Sequence, residues 1–243
     1  MSTKEADEKT IAKNRETIFS IESEVLSNKA LIYQSRSMIE ENRLMILSNY
    51  SAAFMGNRQL ANANTYEIFS NRETILRKMD PQGEVQINYV DAQINKSKLD
   101  FLKHRSDLNA RVLEISKKMA EVNAQLVEIN SEIMKANKSI VEFNSDQISD
   151  NTKMLDGSLS IENATSEINA EIIASNTAKM DELEAKITNN RGTILAVLET
   201  SEMNAASLLK NKDEINERRF AIMENRKGIA DNKAKIGKPK LKI

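Results

Sequence analysis

Asparagine recurs in this chain at intervals of seven residues, and that spacing limits what the chain can fold into more than any other feature. Of 26 Asn, 22 fall on three lattices. The first is Asn14, Asn28, Asn42 and Asn49, resuming one residue late as Asn57, Asn64 and Asn71. The second is Asn88, Asn95, Asn109, Asn123, Asn130, Asn137, Asn144 and Asn151. The third is Asn169, Asn176, Asn190, Asn204, Asn211, Asn225 and Asn232. Seven residues are two helical turns, so each lattice is one stripe along a long helix.

Aliphatic residues accompany each lattice. In the first segment Ile11, Ile18, Val25, Ile32, Ile39 and Ile46 lie three residues before the Asn positions, which makes a heptad with Ile at a and Asn at d. The third repeats that offset from Ile173 and Met180 to Ile229 and Ile236. The middle segment has apolar residues on both flanks, Ile115, Val122, Ile129 and Phe143 on one and Leu113, Val127, Met134 and Val141 on the other. A helix apolar on two flanks is expected to touch two neighbours.

The lattices break at turn signals. Asp80-Pro81-Gln82-Gly83 is one, and Leu155-Asp156-Gly157-Ser158 is the other. Ser2 and Glu5 form a capping box at the start, while Gly237 and Pro239 close the last helix before a short basic tail, 237–243. With only 6 Gly and 2 Pro in 243 residues, the chain has few other places to turn. The expected fold is all-α: an elongated up-down-up bundle of antiparallel neighbours, a single rod-shaped domain with helices at about 3–79, 84–155 and 159–236.

Folding back at those turns predicts a register. Residues at equal height have numbers summing to 165 or 166 between the first two helices and to 313 between the last two. Three all-Asn layers follow: Asn28/Asn137/Asn176, Asn42/Asn123/Asn190 and Asn57/Asn109/Asn204. Amides at one level are expected to satisfy each other and to lock register at some expense of stability. The eight-residue step from Asn49 to Asn57 is a one-residue insertion, which a π-bulge near Gly56 would absorb.

Chemistry is sparse. His104 is the only histidine and there is no Cys, so neither a His relay nor a thiolate metal site has its parts. No Gly-rich phosphate loop and no Glu-x-x-His pair occurs. The expectation is a protein that is not an enzyme, with no cofactor, no metal and no small-molecule substrate. Lys+Arg at 35 against Asp+Glu at 36, with the signs interspersed, gives nucleic acid no basic face. No apolar run reaches the length of a membrane span. The polar amino terminus lacks a signal-peptide core. Sequons begin at Asn49, Asn95, Asn137 and Asn163, and glycans on the first three would break the ladder, so the expected location is intracellular and cytoplasmic.

One feature exceeds what a bundle needs. Phe19, Leu26, Tyr33, Leu47 and Phe54 form another row on the first helix, spaced by sevens except at Glu40. On a helical wheel it lies about 130° from the middle of the a/d face. A wide buried face would explain it, and so would a lateral contact between copies, since long apolar strips mark interaction surfaces. The expected function is structural and self-associating, the protomer of a homo-oligomer, filament, sheath or scaffold. The alternative is a monomeric or dimeric coiled-coil spacer or adaptor that holds partners apart.

Overall fold

The computed structural model describes residues 3–237. Among them the protein is all-α, without strands. The first long span comprises α1 (Thr3–Tyr50), a π-helical segment (Ser51–Asn57) and α2 (Arg58–Arg77). The second is α3 (Glu84–Lys153), which ends in a π-helical turn at Met154–Ser158. A 3₁₀ turn (Ile161–Asn163) leads to the third, α4 (Ser166–Ile236). At 1.5 Å per residue α3 and α4 are each about 105 Å long. Ion pairs one turn apart support the helices, such as Glu73–Arg77 in α2 and Glu132–Lys135 in α3, both at 2.7 Å, and Glu182–Lys186 in α4. Each such pair adds only a few tenths of a kcal/mol.

Both turns form where the lattices break, with different boundaries. Residues 78–82 leave the helix, and Gly83, in extended conformation, caps α3. Gln86 reaches back so that its Oε1 accepts the Gln82 N–H at 2.8 Å, a variant of the capping box. Gly157 closes the second span in the left-handed region, at φ 90° and ψ 16°, where a Cβ would be strained. The third helix was expected from residue 159 but begins at Ser166. Its cap is Thr165, whose Oγ1 accepts the Ile168 N–H at 3.2 Å and satisfies a donor that the first turn would otherwise leave orphaned. The Ser2 capping box and residues 238–243 of the basic tail lie outside the described residues.

The chain divides into two compact units: Met1–Tyr66 with Ala164–Asn232, and Glu67–Asn163 with Lys233–Ile243. In the first unit α1 and α4 run parallel, because contacts along the pair keep a nearly constant numerical offset. Asn28 meets Ile187, Asn42 meets Ser201 and Asn49 meets Leu208, each 159 residues apart. Beyond the π-helical segment Asn57 meets Ile215 and Asn64 meets Ile222, each 158 apart. The one-residue change in offset is the insertion expected from the Asn49–Asn57 step, and the π segment absorbs it there, keeping Asn57 and Asn64 on the face that carries Asn42. The core of this unit includes Ile21, Met180 and Ile187, and continues through Ile194, Leu208 and Ile229.

This register departs from the expected one. The layers placed Asn28 beside Asn176, Asn42 beside Asn190 and Asn57 beside Asn204, whereas the observed partners lie 11 residues further along α4 in each case. A constant sum at each turn constrains only helices joined by that turn. It has no direct hold on two parallel helices separated by the middle span.

In the second unit the end of α2, the first part of α3 and the end of α4 come together. Ile94, Ser97 and Ile236 are buried. Phe69 and Phe101 pack with ring centroids 5.0 Å apart, Arg72 lies over the Phe69 ring at 4.7 Å, and Arg72 also faces Asp100 at 3.9 Å. Lys78 Nζ donates to the Ile236 carbonyl near the carboxyl end of α4, where a cation is favoured by the helix dipole.

The π segment yields a test. Deleting Gly56 removes the inserted residue and should let helix one continue as α with its Asn row intact, changing unfolding free energy by about 1 kcal/mol or less. Deleting Ala30 from α1 instead rotates one side of the row by about 100° and should cost about 3 kcal/mol or more. Urea denaturation of the two deletions against wild type checks the difference. Equal destabilisation would mean that the π segment does not absorb the insertion.

Candidate functional site

The positions singled out by sequence fall into two sets, the asparagine row and the outer apolar row of α1, and the structure treats them differently. Asn14, Asn28, Asn42, Asn57 and Asn64 are buried, and Asn49 is half-buried. Their Nδ2 groups donate across to α4. The acceptors are the main-chain carbonyls of Ile187 (3.1 Å, from Asn28), Ser201 (2.8 Å, from Asn42), Leu208 (2.9 Å, from Asn49), Ile215 (2.8 Å, from Asn57) and Ile222 (2.8 Å, from Asn64). Asn14 alone meets a side chain, donating to Thr177 Oγ1 at 3.3 Å. At position 35, where the row has no Asn, a small Ser is buried instead.

The expected chemistry was amide to amide, and the structure replaces it with amide to backbone. A helical carbonyl has two lone pairs and its own helix uses one. The stripe of α4 that brings those carbonyls close is aliphatic but for Ser201, whose Oγ donates to the Val197 carbonyl of its own helix. The α4 members of the predicted layers, Asn176, Asn190 and Asn204, are exposed, as are Asn109, Asn123 and Asn137 of α3. Burial therefore follows the Asn lattice on the first helix and the aliphatic stripe on the last. The Ile row of α1 that was assigned to the core with the Asn row, Ile11 through Ile46, is itself exposed.

Two of the buried amides are only half satisfied. Asn28 Oδ1 and Asn57 Oδ1 are buried with no hydrogen-bond partner. Leaving a buried acceptor unpaired costs about 1–3 kcal/mol. An apolar side chain of similar size would carry no such cost, so the arrangement does not serve to maximise stability. A donor that must meet a carbonyl every seven residues penalises a slip of one helix along the other.

Outer-row residues Phe19, Leu26, Tyr33 and Leu47 stand in solvent, Phe19 at 75% and Tyr33 at 60% exposure. Phe54 differs. It is half-buried, stacked on Tyr50 at 5.2 Å and covered by the Arg58 guanidinium at 4.0 Å. Sequence reasoning missed a second feature, an open apolar groove of about 620 Å³ in the first unit. Val25, Ile32 and Ile39 of α1 and Ile187, Ile194 and Val197 of α4 line it, with Lys29 and Arg36 also on its lining. The signal for it was the Ile row on one flank of the Asn row, read at first as core.

Titratable groups offer little for chemistry. Hydrogen bonds from Arg77 and Lys186 hold the carboxyls of Glu73 and Glu182 below the usual glutamate range. Each pair lies within one helix, Glu182 and Lys186 exposed on α4 and Glu73 half-buried beside an exposed Arg77 on α2. His104 is exposed. Among the described residues no group of three or more His, Cys, Asp or Glu is placed to hold a metal, and no helix is long and apolar enough to cross a membrane. No family model matches the chain, and neither a curated protein nor a solved structure matches it.

The ladder generates a stability test. Asn57→Leu removes an unpaired acceptor and leaves the Ile215 carbonyl with its helical N–H, so unfolding free energy should rise by about 1–2 kcal/mol. Asn42→Leu, which removes no such orphan, should gain less, and Asn123→Leu at an exposed position should stay within about 0.5 kcal/mol of wild type. Urea denaturation measures all three. A coupling above about 1 kcal/mol between Asn42→Leu and Asn123→Leu in a double-mutant cycle would return those two residues to a shared layer.

Proposed function

We propose that the protein is a structural, non-catalytic protomer that self-associates through apolar rows on its helices. The observation that carries this reading is the outer row of α1: Phe19, Leu26, Tyr33 and Leu47 recur on one helical face and remain in solvent after that helix has already committed another face to α4. Full burial of a large apolar side chain is worth about 1.5–3 kcal/mol. A row of four supplies enough to offset the lost freedom of association when geometry permits simultaneous contact. Exposed strips of this kind mark interaction surfaces. A contact between two different surfaces of identical copies, if its rotation fails to close, propagates as a filament. Near-balanced charge leaves no long-range self-repulsion to oppose approach.

The competing spacer reading makes the opposite prediction about copies. Sedimentation velocity over a concentration series should show wild type growing beyond a single chain. A Phe19→Glu, Leu26→Glu, Tyr33→Glu variant should lose at least tenfold in affinity for growth beyond a dimer while keeping its helicity by circular dichroism. A wild type that stays monomeric throughout favours the spacer that holds partners apart.

A further inference from the structure

From the groove in the first unit and the uncovered face of α3 we infer that α3 of a second copy docks between α1 and α4. The inference rests on the reading of a self-associating chain and names a different surface from the outer row. Along α3, Val122, Leu126, Ile129, Ile133, Ile140 and Phe143 repeat at alternating intervals of three, four and seven residues, the a/d pattern of a helix that packs in a coiled coil. All six are exposed, from 38% at Leu126 to 63% at Phe143. The groove presents the matching half of such a contact. Ile32 and its neighbours seven residues away form one wall, and the buried Ile187 and Ile194 contribute from α4.

Charge makes the match specific. Lys29, Arg36 and Arg43 lie seven residues apart on α1, and the first two line the groove. Glu114, Glu121 and Glu128 lie seven apart on α3, and Glu128 flanks Ile129. Set antiparallel, with numbers summing to 157, all three cations face all three carboxylates. Arg43 and Glu114 also pair within their own helices, with Glu40 and Lys118, whereas Lys29, Arg36, Glu121 and Glu128 form no ion pair among the described residues. Opposite charges at flanking heptad positions set partner and orientation in coiled coils. In that register Val122, Leu126, Ile129 and Ile133 fall level with the groove, and at roughly 90 Å² each they bring about 350 Å² of α3 into one contact. In a two-fold dimer the contact is made twice, giving roughly 700 Å² per partner, close to the roughly 800 Å² of a standard interface.

Charge reversal with mixing tests this in the full-length chain. Lys29→Glu/Arg36→Glu makes groove and helix both acidic, and Glu121→Lys/Glu128→Lys makes both basic. Each variant alone should lose at least tenfold in dimer affinity by sedimentation equilibrium. An equimolar mixture should regain affinity within about threefold of wild type, since both contacts of the mixed dimer then pair opposite charges. Ile129→Glu, at an exposed position that folding does not need, should also lose at least tenfold with helicity retained. If each variant is monomeric and mixing restores nothing, or if the charge variants dimerise like wild type, docking of a second copy's α3 is overturned. A monomeric wild type whose melting temperature falls in each charge variant and recovers only when all four substitutions share one chain assigns the groove to the chain's own helix, and likewise overturns it. The Phe19→Glu, Leu26→Glu, Tyr33→Glu variant separates the two readings. It should keep the dimer while losing larger assemblies. Loss of the dimer there, with the charge variants unaffected, would leave self-association standing and remove the groove from it.

Discussion

Every carbonyl inside a helix already accepts one N–H from its own chain, and a second lone pair is left over. Unit 1 is organised around that spare capacity. Asn28, Asn42, Asn49, Asn57 and Asn64 each place an amide against a carbonyl of α4, and four of the five bonds are 2.9 Å or shorter. Because a helical backbone repeats without regard to side chain, the acceptors recur as faithfully as the donors. Register between two long parallel helices is thereby set by a polar contact, while the apolar stripe of α4 provides burial around it.

That arrangement explains the π-helical segment. An inserted residue would rotate Asn57 and Asn64 off the interface by about 100°. Widening one turn across Ser51–Asn57 returns them to it, and the offset between donor and acceptor changes from 159 to 158. Gly56 sits in this segment, where a Cβ would make only ordinary contacts, the nearest atom being 3.8 Å away on Arg219. The segment is therefore explained by the row it preserves and not by any close approach at the glycine.

The same arrangement leaves much apolar surface uncovered. Narrow rows do the packing, so no large side chain among the described residues is fully enclosed, and long aliphatic rows on α1 and α3 remain in solvent. Water-facing Ile and Phe scattered singly would need no comment, but rows at seven-residue spacing are organised surfaces. Self-association and the groove proposal both rest on that difference.

The sequence by itself determined the all-α class, both turns, the Asn rows and the site of the insertion, because periodicity and turn chemistry are local properties that neighbouring residues encode. It also marked the α4 stripe, which is buried or half-buried from Met180 to Ile236. It did not reveal Thr165 as the cap of the last helix, since a cap declares itself only through the N–H that its side chain accepts. Nor did it reveal the partners of the amides. Asn side chains are visible in a sequence, but the carbonyls that accept from them belong to every residue alike, so matching Asn with Asn was the natural pairing and the tertiary structure chose another. Only the tertiary structure decided that Asn176, Asn190 and Asn204 face solvent while Asn28, Asn42 and Asn57 do not. The physical reason is that lattices of equal period superimpose at many offsets, and the one adopted depends on how closely two particular backbones approach.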